Sequence, residues 1–462
     1  MNTSLKEIAE IFSFVVREVD RVNSTIKQHP DLLQEILRKG AELQKQKNGW
    51  NAGGYICSSE AILRLFDIAK QKMNSYPELN GRCRVESFFR PLEDQIARRL
   101  IENREEINEV TIKEIFRSAK NSAMEKLVDW KYLFPIYTVQ WDSGDFFKLG
   151  KVEFIKSDTF FQNNKEGINK SVETGETFLQ EAKDYYMKYP WIAIVEVRKM
   201  EPEMGNQQAL NILEQTLNCL RLVIRSDSNH FIGIVEENPF SEISSSLAID
   251  ETGKFLAGKS LKVVQPRVSD EFFKSIENDH WFNLVLNVVV RYQECSQLSS
   301  LEKRLLEGLS LFGQGWKETN RSSKLVKYVT CLEGLLLLST EREGITEKLA
   351  ERIALLSKED FEERKGLFDD AKEIYDARSK LVHGNGNFSE GKLLSLCGKA
   401  EGIAQLILYA CGEIFSIIGI TKDENKILRE FFDVCKLSKD KNDINKFFLK
   451  FRPIQNKERR GK

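Results

Sequence analysis

Apolar residues recur at steps of three and four through most of the first 130 positions, which is the period of an amphipathic helix. The clearest case begins the chain, and one predicted helix face carries Leu5, Ile8, Ile11, Phe12 and Val15. Segments 58–73 and 86–107 repeat this spacing, and either Ser58 or Ser59 caps the first of them. The pattern predicts a helical N-terminal region over residues 1–130.

The pattern changes near residue 131, where short runs rich in β-branched and aromatic residues follow one another between Gly, Pro, Asn and Asp. Such runs are typical of strands. The predicted strand segments are 132–141, 150–161, 191–199, 229–237 and 259–268. Because residues 205–224 between them have a helical pattern, we expect a mixed α+β region over 131–275.

Helical periodicity returns over residues 276–435, and the loops that join these helices are short, as in antiparallel bundles. Residues 402–420 form an apolar stretch nearly long enough to span a bilayer. Gln405 and Glu413 interrupt it and no basic cluster flanks it, so we interpret it as a buried helix and expect no membrane partner. The predicted fold class is therefore mainly α, with a central α+β region and a C-terminal helical bundle.

Residues 436–462 form a basic C-terminal tail that contains ten Lys and Arg and three Asp and Glu. It is either a solvated terminus or a segment that binds along the phosphate backbone of a nucleic acid. In the second case, Lys446, Lys450 and Arg452 are the RNA-binding candidates. The phenylalanines between these charges either stack on bases or dock a final helix.

The composition limits the function classes. Charged residues make up 30% of the chain, hydrophobic residues 41%, and the net charge is −1, so a polyanion site must come from local clustering. The chain contains no CxxC pair and neither of the glycine-rich phosphate-loop motifs, and we expect no metal and no cofactor. Without a signal sequence at its start, and with thiols in apolar stretches, the chain is expected in the cytoplasm.

The most informative motif is the segment 375–387, YDARSKLVHGNGN, at the predicted end of a helix. Arg378 and His383 are separated by four residues, and Gly384 stands where a C-terminal capping glycine is expected. A histidine exchanges protons near neutral pH, and an arginine is suited to phosphate oxygens. On a straight helix the two side chains lie about 140° apart. A two-fold homodimer would bring both copies of each into one cleft.

The chain resembles the Apea-like HEPN domain family over about residues 320–415. The resemblance lies in CLEGLLLLS (331–339), LAERIALLS (349–357) and YDARSKLVHGNG (375–386). It implies a HEPN-like helical bundle over 276–435 and a dimeric, metal-independent endoribonuclease that acts in phage defence or as a toxin. A neutralising or trigger protein is a further expected partner.

The implied reaction uses the nucleophile that RNA itself carries, the ribose 2′-OH, which attacks phosphorus and expels the 5′-oxygen. His383 would transfer protons and Arg378 would stabilise the phosphorane. Many HEPN proteins have Asn, Asp or His after the arginine, whereas this chain has Ser379. That departure leaves open whether the site is fully active.

Three further side chains are supporting candidates. Glu333 resembles the acidic residue that pairs with the motif arginine in HEPN proteins, and the alternative is that it pairs with Arg352 or with another basic residue. Tyr375 packs, forms a hydrogen bond or stacks on a base, and Lys380 is either solvated or binds RNA. The alternative function is a non-catalytic HEPN-like module that binds RNA or nucleotide, or that only dimerises.

Overall fold

Most of the chain is helical, and an antiparallel sheet lies in the middle of the sequence, in agreement with the mainly α fold class with added β structure. In this computed structural model, the residues described are 4–29, 58–166, 168–169, 179–226, 231–235, 243–249, 255–261, 265–294, 296–338, 340–357, 360–384, 386–418, 424–438, 444 and 446–448. Only the backbone course is given for 243–249 and 255–261.

The first of two compact units contains residues 1–132 and 196–209. Its helices are α1 (Leu5–Gln28), α2 (Ser59–Ser75), α3 (Val85–Ile96) and α4 (Glu109–Glu125). The predicted N-terminal helices are confirmed, and Ser58 rather than Ser59 is the cap of α2, because its side chain accepts from the Ala61 N–H. The helical pattern over 86–107 is confirmed to Glu102, because α3 continues into a π-helical turn over Ala97–Glu102, and residues 103–107 are not helical. The apolar faces form one core, which includes Ile8, Phe12, Leu65, Phe88 and Phe116.

The second unit contains residues 133–195 and 210–462. The main sheet has the strand order β3-β4-β5-β1-β6, with antiparallel pairing between β1 and β6, β3 and β4, and β4 and β5. Its strands are β1 (Val128–Tyr137), β3 (Phe146–Leu149), β4 (Val152–Lys156), β5 (Trp191–Met200) and β6 (Gly233–Ile234). Two small pairs accompany it, formed by β2 (Gln140–Trp141) with β9 (Arg267–Val268) and by β7 (Ile243–Ile249) with β8 (Phe255–Leu261).

The strand predicted over 150–161 is correct only to Lys156, because the chain then turns into the short helix α5 (Ser157–Asn163). Ser157 ends the strand, and its N–H and hydroxyl both donate to carbonyl groups of the 189–190 loop. Helix α6 (Leu179–Tyr186) and helix α7 (Pro202–Val223) follow, and α7 confirms the helix predicted over 205–224.

From residue 270 onward, the elements of the second unit that the structure describes are all helices. The helices are α8 (Asp270–Asn278), α9 (His280–Gln293), α10 (Ser300–Lys317), α11 (Arg321–Leu336), α12 (Ile345–Ser357), α13 (Phe361–Val382), α14 (Glu390–Ile418) and α15 (Glu424–Leu437). Helix α11 packs against α10, α13 and α14, and α12 packs against α13. The predicted bundle of consecutive helices is thus present, and residues on both sides of position 275 belong to one unit.

Helix α14 contains the apolar stretch and, among the described residues, is long and apolar enough to cross a membrane by length and composition. In the structure 56% of its most apolar window is buried. Gln405 donates to the Leu222 carbonyl at 2.6 Å, and Glu401 accepts from the Ser226 N–H at 2.7 Å. Helix α14 therefore packs as a core helix of the second unit.

A buried ionic cluster lies between α7 and α10. Arg221 is fully buried, and its guanidinium contacts the Glu214 carboxylate at 2.7 Å and the Asn218 side-chain oxygen at 2.5 Å. Lys317 of α10 also pairs with Glu214, at 2.7 Å. The helices approach closely here, because a Cβ built on Gly313 would lie 1.7 Å from the Asn218 oxygen.

We predict that Gly313→Ala destabilises the protein by about 1–3 kcal/mol, because the added methyl must displace a buried side chain that holds Arg221. Gly366 in α13 provides the matched control, since a Cβ there meets no atom within 4 Å. Gly366→Ala should stabilise by about 0.5–1 kcal/mol through helix propensity. Urea unfolding of both variants measures the two effects, and equal shifts would contradict the close approach at Gly313.

Candidate functional site

The Arg-x4-His motif lies at the C-terminal end of α13. The helix ends at Val382, His383 is the C-cap, and Gly384 follows with a φ of +76°. The predicted capping glycine is confirmed, because this left-handed conformation is one that glycine adopts without strain. The Gly384 N–H donates to the Leu381 carbonyl at 3.3 Å, so the chain leaves the helix abruptly after His383.

Arg378 points toward α11, where its Nη2 lies 3.2 Å from the Glu333 carboxylate. The two side chains are 23% and 19% exposed, so the ion pair is largely removed from solvent. The Arg378 Nε is buried and has no hydrogen-bond partner within the part of the chain that the structure describes. Arg378 thus has one directed carboxylate contact and a remaining donor that is not used.

Tyr375 completes a cluster of three side chains with Glu333 and Arg378. The Arg378 guanidinium carbon lies 6.0 Å from the centroid of the Tyr375 ring. Burial raises the pKa of Tyr375, and the Glu333 charge and a hydrogen bond to it act in the same direction. Tyr375 therefore stays neutral at physiological pH and keeps its hydroxyl as a donor.

Glu333, the acidic member of this cluster, lies near the C-terminal end of α11. Two arginines cap this end of the helix. Arg304 donates to the carbonyl oxygens of Gly334 and Leu337. Arg352, which is buried, donates to the Leu336 carbonyl at 2.8 Å. Cations are favourable at this end because it carries the negative pole of the helix dipole and unpaired carbonyl groups.

Glu341 is the acidic partner of Arg352. Each of its two carboxylate oxygens accepts a hydrogen bond of 2.7 Å from one guanidinium nitrogen. Of the two pairings left open by the sequence, the structure therefore gives Glu333 to Arg378 and Glu341 to Arg352. The capping role of Arg304 and Arg352 had no sequence signal, because both lie within ordinary amphipathic helices and reach α11 only in the folded unit.

His383 is exposed and does not join the Arg378 cluster. The backbone N–H of His383 donates to the Ser379 carbonyl at 3.0 Å, which is the hydrogen bond that a helix makes four residues back. The helix is regular to Val382, whereas His383 itself adopts φ −88° and ψ 7° and its backbone N–H is shared with the Leu381 carbonyl. An ideal helix would place the two side chains about 140° apart. One copy of the chain brings Arg378, Glu333 and Tyr375 together and leaves His383 apart.

The other candidate residues are dispersed. Ser379 is half-buried beside Arg378, and Lys380 is exposed on α13. Lys446 is exposed in a short helical segment, whereas Lys450 and Arg452 lie outside the described residues.

Two phenylalanines of the tail, Phe447 and Phe448, pack on α15, and the third, Phe451, lies outside the described residues. Phe447 is 1% exposed, and its ring centroid is 5.7 Å from that of Phe431 in α15. Phe448 packs on the same ring, at 5.5 Å. Of the two alternatives for these rings, the structure favours the docking of a final helix over base stacking.

Within the described ranges, no group of three or more His, Cys, Asp or Glu side chains is arranged to hold a metal ion. The described cysteines are free thiols, and Cys331, Cys397 and Cys411 are buried, as their apolar surroundings predict. Comparisons with models of known protein families, with curated proteins and with solved structures gave no match. Any function assigned to the candidate site is therefore argued from the geometry and chemistry of its residues.

A double-mutant cycle on Arg378→Met and Glu333→Gln should give a coupling energy of about 1 kcal/mol in urea unfolding. A half-buried charged hydrogen bond has about this strength, and contacting residues are not additive. The cycle uses both single variants and the double variant. Strict additivity would contradict the ion pair that orients Arg378.

A second prediction concerns pH and the cap on α11. Burial raises the pKa of Glu341, but hydrogen bonds from Arg352 and from the Leu338 N–H, together with the Arg352 charge, outweigh this effect and hold the pKa below its ordinary value. A carboxyl group with a lowered folded-state pKa stabilises the fold above its unfolded pKa and loses this contribution as pH falls through the folded value.

Glu341→Gln should therefore lower the free energy of unfolding by about 3 kcal/mol at neutral pH, because Arg352 loses its carboxylate. The difference from wild type should shrink as pH is lowered below about 4. Glu343→Gln, in the same loop and exposed, is the matched control. A pH-independent difference would show that the charge of Glu341 does not carry its contribution.

Proposed function

We propose that this protein is a metal-independent endoribonuclease that cleaves RNA through Arg378 and His383. The observation that carries the proposal is the end of α13. There an arginine oriented by Glu333 at 3.2 Å is followed after four residues by an exposed histidine at a helix terminus. The resemblance of the same segment to Apea-like HEPN domains supports this reading.

The chemistry follows from what each side chain offers. The 2′-OH of RNA attacks the adjacent phosphorus, the 5′-oxygen leaves, and the product carries a 2′,3′-cyclic phosphate. His383 is exposed and can accept a proton from the 2′-OH or donate one to the leaving oxygen. Arg378 would bind non-bridging oxygens, which bear the developing negative charge. DNA lacks the nucleophile and would not be cleaved.

A homodimer completes the proposed site. On an ideal helix the Arg378 and His383 side chains lie about 140° apart, on different sides of α13, so the proposed site takes its arginine and its histidine from two copies. Val382 next to His383 is 51% exposed, and Leu394 on the neighbouring α14 is 57% exposed. Exposed apolar side chains beside the motif are suited to an isologous contact between two copies.

The biological role proposed is phage defence or toxicity in the cytoplasm, with the remainder of the chain restraining the nuclease or responding to a trigger protein. The family resemblance supports the role in defence or toxicity, and the size of the first two regions, over residues 1–275, supports the restraining role. A free ribonuclease would arrest the growth of a host that expresses it, and a neutralising partner would prevent this.

Incubation of the full-length protein with total RNA in the presence of EDTA tests the activity. We expect fragments with 2′,3′-cyclic phosphate ends, and a rate that falls at least about 100-fold in His383→Ala and Arg378→Ala. His280→Ala and Arg342→Ala are matched controls, since both residues are exposed and lie outside the motif. Unchanged cleavage in the two motif variants would refute the assignment.

The dimer is tested on the same protein with Val382→Glu and Leu394→Glu combined. Both positions are exposed, so the subunit should fold and only association should weaken. We expect the double variant to sediment as a monomer and to lose RNA cleavage. Full activity in a monomeric variant would exclude a composite site.

A second candidate function is a binding module that holds RNA without cutting it. The observation in its favour is that Arg378 already has a carboxylate partner and a buried Nε, as in a purely structural ion pair. Saturable RNA binding with no cyclic-phosphate product would favour this candidate over the nuclease.

A further inference from the structure

Helix α15 packs against α12, and its Phe432 ring lies over the guanidinium group of Arg352. The ring centroid is 4.5 Å from the guanidinium carbon, and each of the two residues is only 7% exposed. An aromatic ring attracts a cation that lies over its face, and the attraction is stronger where water is excluded. Phe432 therefore restrains the Arg352 side chain.

Arg352 in turn holds the end of α11. One of its guanidinium nitrogens donates to the Leu336 carbonyl at 2.8 Å, and the group also pairs with the Glu341 carboxylate at 2.7 Å. The last carbonyl groups of a helix need such partners, because no later turn supplies an N–H for them. A displaced Arg352 would leave the last turn of α11 without this cap.

A second contact from α15 reaches the loop that carries Glu341. The Arg429 Nη2 donates to the Thr340 hydroxyl oxygen at 3.2 Å. In the same loop the Leu338 N–H donates to the Glu341 carboxylate at 2.8 Å. Helix α15 thus holds Arg352 directly and holds its acidic partner through the loop.

Phe432 is itself held by a continuous row of aromatic rings. Its ring centroid lies 5.7 Å from that of Phe431, and the Phe447 ring near the end of the chain lies 5.7 Å from the other side of this pair, on Phe431. Phe431 is 3% exposed and Phe447 is 1% exposed. Buried rings that pack at these distances leave little room for α15 to shift.

The end of α11 also carries the carboxylate that orients the motif arginine. The Leu337 N–H donates to the Glu333 carbonyl at 3.0 Å, and the Glu333 carboxylate lies 3.2 Å from the Arg378 Nη2. We infer that Phe432 is a positioning residue for Arg378, because it holds Arg352 and thereby keeps the last turn of α11 and Glu333 in place. Its effect on catalysis rests on the proposed function, in which Arg378 binds the phosphate of RNA.

Hydrogen exchange of the full-length protein, measured on peptides that contain Leu337, reports on this turn without RNA. Phe432→Leu keeps an apolar side chain and removes the ring. We expect the Leu337 N–H to exchange about 10-fold faster in this variant, because Arg352 no longer holds the turn closed. Phe432→Tyr keeps the ring and should restore slow exchange.

Two matched controls separate positioning from general loss of stability. Phe282→Leu removes a ring that is 1% exposed on α9. Lys436→Met removes an exposed ion pair between α15 and Glu351 of α12, with a distance of 2.6 Å. Neither variant should change exchange at Leu337. Unchanged exchange in Phe432→Leu, or an equal increase in Phe282→Leu, would overturn the positioning role.

RNA cleavage by the same variants connects the turn to the reaction. We expect kcat to fall about 10-fold in Phe432→Leu with little change in KM, since Arg378 acts on charge that develops in the transition state, and Phe432→Tyr should recover it. If the wild type cleaves no RNA, the proposed function fails, and hydrogen exchange alone decides the positioning role. If the wild type cleaves RNA and Phe432→Leu has the same kcat, the positioning role is wrong.

Discussion

The carbonyl end of α11 is the constraint on which the candidate site depends. Three of its terminal carbonyl groups, at Gly334, Leu336 and Leu337, would be left without helical partners inside the bundle. Arg304 and Arg352 satisfy them, and Glu341 holds Arg352 in place. The side chain of Phe432 covers the Arg352 guanidinium, at 4.5 Å, so α15 also depends on this cap.

Glu333 lies in the last turn of the same helix, and its backbone carbonyl accepts from the Leu337 N–H at 3.0 Å. If this turn frayed, the carboxylate would lose its fixed position and Arg378 would lose its partner. The orientation of a half-buried arginine on α13 thus rests on two cations that bind a different helix. A contact that carries chemistry commonly needs such support from residues that take no part in it.

The sequence predicted the parts of this arrangement that follow from local pattern. Helical periodicity identified α7 and the helices α9 to α14, and the glycine after His383 identified where α13 ends. Helix α8 was missed, because it begins at Asp270, inside the region predicted as mixed. The strand prediction over 150–161 failed after Lys156, because the pairing of β4 ends where its antiparallel partner β5 begins, at Trp191, and this partner is distant in the sequence. Glu333 could not be assigned between Arg378 and Arg352, since periodicity shows which residues are inside a bundle and not which of them meet.

The two helix ends nearest the motif differ in a way that bears on the proposed reaction. The end of α11 is covered and its carbonyl groups are bound by arginines, whereas the end of α13 is open and presents a histidine. A phosphodiester that approached Arg378 would compete with Glu333 for the guanidinium, so one subunit alone would bind it weakly. Two copies around a two-fold axis would contribute two arginines and two histidines, so one phosphate would meet twice as many donors as a single subunit offers. In the proposed enzyme, Glu333 would therefore orient the arginine in the free subunit, and the second arginine would supply the additional hydrogen bonds that let the phosphate compete with it.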